Sequence, residues 1–335
     1  MQGCVGADHP QNSLRGEPGP CATEGEATLA ASDRPPGSSG ARPAVDTALV
    51  TEVAEGVHVV PDRRVNLVPN VGIVVGESSA LVIDTGMGPR NAQQVLELAQ
   101  KLAPRRKLFL TISHFHPEHG FGAQQFVEDG VILYNVDQLH ELHRKGASYI
   151  ELFRGFGPTV EEELEGVQLV DPHVTYDKSA TIDLGGHKVR LEHVGPAHTA
   201  GDQIVVVDDE TLFCGDLVEA RFYAIYPYFP PEDVDVDGHR WIETLERLDA
   251  LQPSVVVPGH GEVGSVEQIR AAREYMVWLR DITREATATR HDLDAVLDAV
   301  RPEALARYSG WDNPEWIDYG VRWFFDHPAP SAAEP

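Results

Sequence analysis

In the run Leu110-Thr111-Ile112-Ser113-His114-Phe115-His116-Pro117-Glu118-His119-Gly120, three histidines and one carboxylate fall inside six residues, directly after an apolar stretch. Imidazole and carboxylate are the usual ligands of zinc and related divalent ions. A strand end delivers side chains from a rigid element into a loop, and alternation sends His114 and His116 one way. The adjacent pair Glu118 and His119 can diverge toward a second point, so the pattern suits two metals sharing one loop. Without metal, three clustered imidazoles crowd positive charge at mildly acidic pH, which makes a purely structural role a poor explanation.

The elements that must position this loop follow from hydrophobic periodicity. Short β-branched runs over 57–60, 72–75 and 80–83 predict strands, the last ending at Asp84-Thr85-Gly86. A helical pattern covers 91–102, a buried strand 108–112, a short helix lies near 123–127 and a strand over 131–134. The stretch 136–172 is mixed: helical first, then a loop at 154–158 and a solvated acidic run at Glu161-Glu162-Glu163. Four strands follow over 181–184, 188–194, 203–207 and 211–214. Beyond an aromatic, proline-rich loop at 222–231, a helix is expected over 241–251 and a strand over 254–257. Helices at 266–286, 293–300 and 315–325 finish the chain. Two strand-rich halves, each closed by helices, predict two sheets packed face to face with helices outside, a four-layer α/β sandwich.

Composition narrows the partners. The 335 residues fit one large α/β domain with appendages. Twenty-seven basic against 53 acidic residues give a net charge of −26. A chain so acidic repels phosphate backbones and anionic lipid, which argues against nucleic-acid or membrane-surface binding. Three cysteines make no disulfide framework and suit a reducing cytoplasm. No apolar run approaches the roughly 18–20 residues that span a bilayer, and the N-terminal segment lacks a signal-peptide core. The expectation is a soluble, cytoplasmic protein. Residues 1–46, rich in Gly, Pro, Ser and Ala, read as a disordered tail. Residues 47–288 form the main domain and 289–335 a helical extension. Trp311, Trp316, Trp323 and Phe324 suit a helix docked on the core or on the partner of a homodimer.

The chain resembles the metallo-β-lactamase-fold hydrolase superfamily, whose signature is a strand-terminal Asp, a His-x-His-x-Asp-His loop, a later His, a bridging Asp and a final His. The matching positions, in that order, are Asp84, then His114, His116, Glu118 and His119, then His198 in Gly195-Pro196-Ala197-His198-Thr199, Asp216 in Cys214-Gly215-Asp216, and His260 in Pro258-Gly259-His260-Gly261. The resemblance covers about residues 57–285 and implies an αββα sandwich with 47–288 as its catalytic domain. It also implies that His114, His116 and His198 hold one metal and Glu118, His119 and His260 a second. Asp216 then bridges both, and Asp84 fixes the His loop by hydrogen bonds. Thr199 and Asp202 suit a cap on the His198 turn.

Glu118 stands where the family has Asp. Its extra methylene lengthens the arm by about 1.5 Å, against a metal–ligand tolerance of about 0.2 Å. Two zinc ions are the expected cofactors, with manganese or iron as alternatives at the second site and a role for Glu118 as a base as another. Two divalent ions, two carboxylates and a hydroxide sum to about +1, which favours an anionic small-molecule substrate, and the aromatics of the 222–231 loop suit an apolar or planar, aromatic one. The implied activity is hydrolysis of an ester, lactone, thioester or amide by a metal-bound hydroxide. In this reading Glu118 and Asp216 are catalytic, and Tyr223 or Tyr226 donates to an oxyanion. A mononuclear iron oxidoreductase of the persulfide dioxygenase type and a non-catalytic binding protein with a vestigial site are the competing functions.

Overall fold

Along β4 (Ser79–Ile83), Leu81 and Ile83 face one apolar cluster while Ala80 and Val82 face another. This alternation, repeated strand by strand, sets the layering. The computed structural model describes residues 41–328. In it β1 (Thr51–Ala54), β2 (Val57–Val60), β3 (Val71–Val75) and β4 form an antiparallel meander. The crossover helix α1 (Gly88–Leu102) leads to β5 (Lys107–Thr111), parallel to β4. The single-turn α2 (Pro117–Gly120) precedes β6 (Gly130–Asn135), α3 (Val136–Arg154), α4 (Pro158–Glu163) and β7 (Val174–Tyr176). The first sheet therefore runs β1 to β7 in sequence order.

The second sheet has the order β12-β11-β10-β9-β8. Its antiparallel part is β8 (Ser179–Asp183), β9 (Lys188–His193), β10 (Gln203–Val207) and β11 (Thr211–Glu219). After α5 (Gly238–Ala250), β12 (Val255–His260) lies parallel to β11. Helices α6 (Val266–Thr287), α7 (Leu293–Arg307) and α8 (Trp316–Asp326) complete the described chain. Leu81 and Ile83 share the inter-sheet core with Val205, Val207, Phe213 and Val257. Ala80 and Val82 pack with Val95 and Ala99 of α1. On the far side Ile204 and Val206 meet Trp241, Leu245, Leu279 and Val321. Three cores around two sheets make four layers, αββα, each large buried aliphatic contributing about 1.5–3 kcal/mol.

Several boundaries differ from expectation for identifiable reasons. β11 continues past Cys214 to Glu219, because parallel pairing with β12 carries it through the break at Gly215. β1 and β7 are short and partly exposed, with too few residues for a clear pattern. The acidic run 161–163 is not simply solvated. It lies on α4, and buried Glu163 accepts from the Arg42 guanidinium and from Asn91 Nδ2 at 3.2 Å. Of the expected tail, residues 1–40 lie outside the described residues. Residues from Arg42 on are tied down, for buried Val45 donates its N–H to Asn91 Oδ1 at 2.7 Å. Of the two expectations for the C-terminal aromatics, docking on the core is what α8 does within the chain. Trp323 is buried and its Nε1–H donates to Val236 O at 3.1 Å. Among the described residues no helix is long and apolar enough to cross a membrane.

Candidate metal centre

Asp84, at the end of β4, organises the histidine loop that follows β5. Its Oδ1 accepts the Ser113 N–H at 2.6 Å, and its Oδ2 accepts from the Ser113 hydroxyl and from His119 Nδ1, both at 2.9 Å. Asp84 adopts φ of 65°, a left-handed conformation that costs about 1–3 kcal/mol and persists only where its surroundings impose it. With its proton given to Asp84, the Ser113 hydroxyl accepts from His114 Nδ1 at 3.0 Å. Both imidazoles are thereby fixed with Nε2 as the free nitrogen.

His198 sits on the turn between β9 and β10. Asp202 accepts the Thr199 N–H at 2.9 Å and the Thr199 hydroxyl at 2.7 Å, and burial pushes its carboxyl up to about 8. Glu141 of α3 takes the Gly201 N–H at 2.8 Å. The His198 ring donates Nδ1–H to Ile225 O at 2.9 Å, again freeing Nε2. His260 ends β12, where Asn70 Nδ2 donates to Pro258 O at 3.0 Å and Gly261 O at 2.8 Å, and Asp62 Oδ2 accepts the Gly261 N–H at 2.8 Å. Gly259, facing Asp216 from the neighbouring strand, has to be glycine: a Cβ there overlaps Asp216 Oδ1.

These elements bring all seven expected ligand positions together. His116 Nδ1 lies 3.0 Å from His114 Nε2 and 3.2 Å from His198 Nε2. Asp216 Oδ2 is 3.7 Å from His114 Nε2 and 3.8 Å from His198 Nε2. Asp216 Oδ1 is 3.3 Å from His119 Nε2 and 3.6 Å from His260 Nε2, and Glu118 joins this second group. Within each group the donor atoms lie within 4.8 Å of one another. Four donors arranged tetrahedrally about 2.0–2.2 Å from a cation stand about 3.3–3.6 Å apart, and the spacings of 3.0–3.8 Å bracket that range.

The electrostatics of the first group agree, while in the second, against burial, which lowers it, His119 is held well above the usual imidazole range by Asp216 and Asp84. Burial lowers His114, His116 and His198, the last to about 4, which keeps them as neutral lone-pair donors. Against burial, which raises it, Asp216 is held well below the carboxylate range by His119, His260 and His114. Burial raises Glu118. Glu118 Oε2 is buried with no hydrogen-bond partner, and His119 Nε2 and Asp216 Oδ1 face only each other and the other donors of their group. Unpaired, each such group costs about 1–3 kcal/mol, and a cation is the partner their chemistry calls for. The residues fit a divalent metal.

Tyr223 is a correction. It is 1% exposed, its ring packs on Tyr275 and Trp311, and its hydroxyl donates to Ala304 O at 3.2 Å and Tyr308 O at 3.1 Å. Helix α7 has claimed the group that nearness to Asp216 in sequence suggested for an oxyanion. Tyr226 is likewise in the core, against Trp241 and Phe324. Phe222 is the loop aromatic that approaches the centre, with its ring 6.2 Å from His260 and the Arg64 guanidinium 4.5 Å above it. Tyr223→Phe is expected to leave kcat/KM within about twofold and to lower unfolding stability by about 1 kcal/mol in a urea titration. A large drop in kcat with stability unchanged restores the oxyanion role.

Sequence reasoning did not find Ser113, Asn70, Asp62 or the Ile225 carbonyl. Ser113 alone left a local mark, at the strand end beside His114.

Comparison with known proteins places this geometry. A family model described as the metallo-beta-lactamase superfamily matches residues 65–260. A human protein named acyl-coenzyme A thioesterase MBLAC2 is 27% identical over 226 residues, covering 62% of this chain and 78% of that protein. A Pseudomonas linear primary-alkylsulfatase is 25% identical over 248 residues, 63% of this chain and 44% of its own length. The solved structure of a metallo-beta-lactamase from Pontibacter korlensis superposes with a TM-score of 0.53 at 20% identity, over 68% of this chain and 98% of that one. With the family model spanning more than half the chain, this protein belongs to the metallo-beta-lactamase superfamily.

Proposed function

We propose that the protein is a metal-dependent hydrolase that holds two divalent cations, with zinc as the first candidate, and cleaves an ester or thioester of a small substrate. The observation that carries this reading is Asp216, which turns one carboxylate oxygen to each of two complete donor groups. His114, His116 and His198 hold one cation and Glu118, His119 and His260 the other, with Asp216 common to both. When bound, such ions lower the pKa of a water toward about 7 and polarise a substrate carbonyl. The chain's own part is preorganisation. Asp84 and Ser113 lock the tautomers of His119 and His114, Ile225 locks that of His198, and Asn70 and Asp62 hold the His260 turn. Tyr149 stacks on the His116 ring at 5.3 Å and 18°, which holds that ring's plane. An acyl substrate is favoured because the human relative is named as an acyl-coenzyme A thioesterase; the alkylsulfatase marks sulfate esters as the next class to assay.

Chelator-stripped protein, assayed with acyl-coenzyme A thioesters, nitrophenyl esters, alkyl sulfates and a β-lactam, tests this. Hydrolysis of an ester or thioester is expected to fall at least about 100-fold on stripping and to return with zinc, with elemental analysis giving two metal equivalents per chain. Hydrolysis indifferent to chelation overturns the reading. One equivalent of iron with oxygen uptake assigns an oxidoreductase instead.

A further inference from the structure

His198 differs from its neighbours in what secures its ring. His119 and His114 are locked by Asp84 and Ser113, at or beside strand ends, whereas His198 Nδ1–H donates to the carbonyl of Ile225, which lies in the irregular segment between β11 and α5. A loop carbonyl orients an imidazole only as firmly as its own residue is held. Ile225 is held from its other side: its N–H donates to Glu219 Oε2 at 2.9 Å. Glu219 is the last residue of β11, three positions after Asp216, and pairs with His260 in the β11–β12 register. It is 5% exposed, and its second oxygen, Oε1, is buried without a hydrogen-bond partner. Among the described residues Glu219 makes no salt bridge. A buried carboxyl group is unfavourable for stability unless its oxygens are used, and the one hydrogen bond that the Glu219 side chain makes among the described residues is the one it accepts from the Ile225 amide.

We propose that Glu219 is a positioning residue of the first cation group, fixing His198 Nε2 toward the ion by pinning Ile225. This rests on the reading of His114, His116, His198 and Asp216 as a cation site. The strand end supplies the rigidity, the carboxylate oxygen captures the loop amide, and the loop carbonyl captures the ring. The link is a hydrogen bond to an oxygen at a set reach, which separates the outcomes of substitution. Glu219→Gln retains an acceptor oxygen at the same reach. Glu219→Asp retains the carboxyl group but shortens the arm by about 1.5 Å. Glu219→Leu removes both.

The test is cobalt(II) affinity of the full-length protein, measured by competition with a chromophoric chelator and followed by cobalt d–d absorption. Glu219→Asp and Glu219→Leu are expected to bind the weakened equivalent about 10–100-fold less tightly, with an altered absorption band, while Glu219→Gln stays within about threefold of wild type. Should Asp or Leu prevent folding, Gln decides: a tenfold loss there overturns the proposal, since the amide keeps the bond to Ile225. Wild-type affinity in a folded Glu219→Asp overturns it as well. A wild type that binds no cobalt refutes the cation site itself, a result distinct from a binding wild type whose Glu219 variants bind equally.

Discussion

Asp216→Asn is expected to lower kcat/KM about 1,000-fold or more, equivalent to about 4 kcal/mol of transition-state stabilisation, and to release bound metal. Asp216 is the common vertex of the two donor groups, with Oδ2 facing His114 and His198 and Oδ1 facing His119 and His260 at 3.3–3.8 Å. An amide keeps the shape of the side chain but carries no charge and has only one acceptor oxygen, so both groups lose the shared anion, the first keeps no carboxylate at all, and one of the two meets an N–H instead. Four buried imidazoles that share one carboxylate cannot replace it. Elemental analysis is expected to show fewer than two equivalents per chain. The thermal signature is separate: a cation at 100 times its Kd stabilises wild type by about 2.7 kcal/mol, and the variant should gain less from the same addition. If Asp216→Asn retains full activity and full metal content, the shared-carboxylate geometry does not carry the chemistry.

Sequence and structure divide the centre in an instructive way. The 114–119 cluster is legible because three imidazoles and a carboxylate stand together after an apolar strand, whereas His198, Asp216 and His260 are reached only through the ordered resemblance to the superfamily signature. What holds the ligands is not legible. Asn70 reaches Pro258 across 188 positions and Asp62 reaches Gly261 across 199, pairings that exist only once the two sheets are stacked. Ser113 stands next to His114, yet its role depends on Asp84, 29 positions away. The same long-range competition explains the errors. Tyr223 follows Asp216 closely in sequence, but carbonyls 81 and 85 residues downstream take its hydroxyl. Glu163 reads as part of a solvated acidic run until Arg42, 121 residues upstream, pairs with it. The layers were readable from alternation because each strand carries its own two-sided pattern. The extent of β11 was not, because its last residues are strand only by virtue of β12.

Lys145→Met is expected to be among the most damaging substitutions away from the ligands. Lys145 is 4% exposed, with Nζ 3.0 Å from Glu141 Oε1, 2.7 Å from Asp233 Oδ1 and 2.7 Å from Asp235 Oδ2, and it lies over the Phe115 ring at 4.9 Å. Glu141 and Asp233 are as deeply buried as the lysine. Removing the cation strands two carboxylates in the interior, a loss of about 3–5 kcal/mol, whereas removing a surface pair costs under about 1 kcal/mol. The damage also has a direction. Glu141 carries the Ala200 and Gly201 amides of the His198 turn, and Asp233 accepts the hydroxyl of Tyr149, whose ring stacks on His116. Stability and first-group cation affinity should therefore fall together, as urea unfolding of the metal-free protein and a metal titration can show. Because the stranded charge causes the loss, adding Glu141→Gln to Lys145→Met should cost less than the two single changes summed, with a coupling of about 0.5–3 kcal/mol. Strict additivity, or a Lys145→Met midpoint equal to wild type, means that Tyr149 and the His198 turn are held by packing alone and that the buried ions contribute nothing to the site.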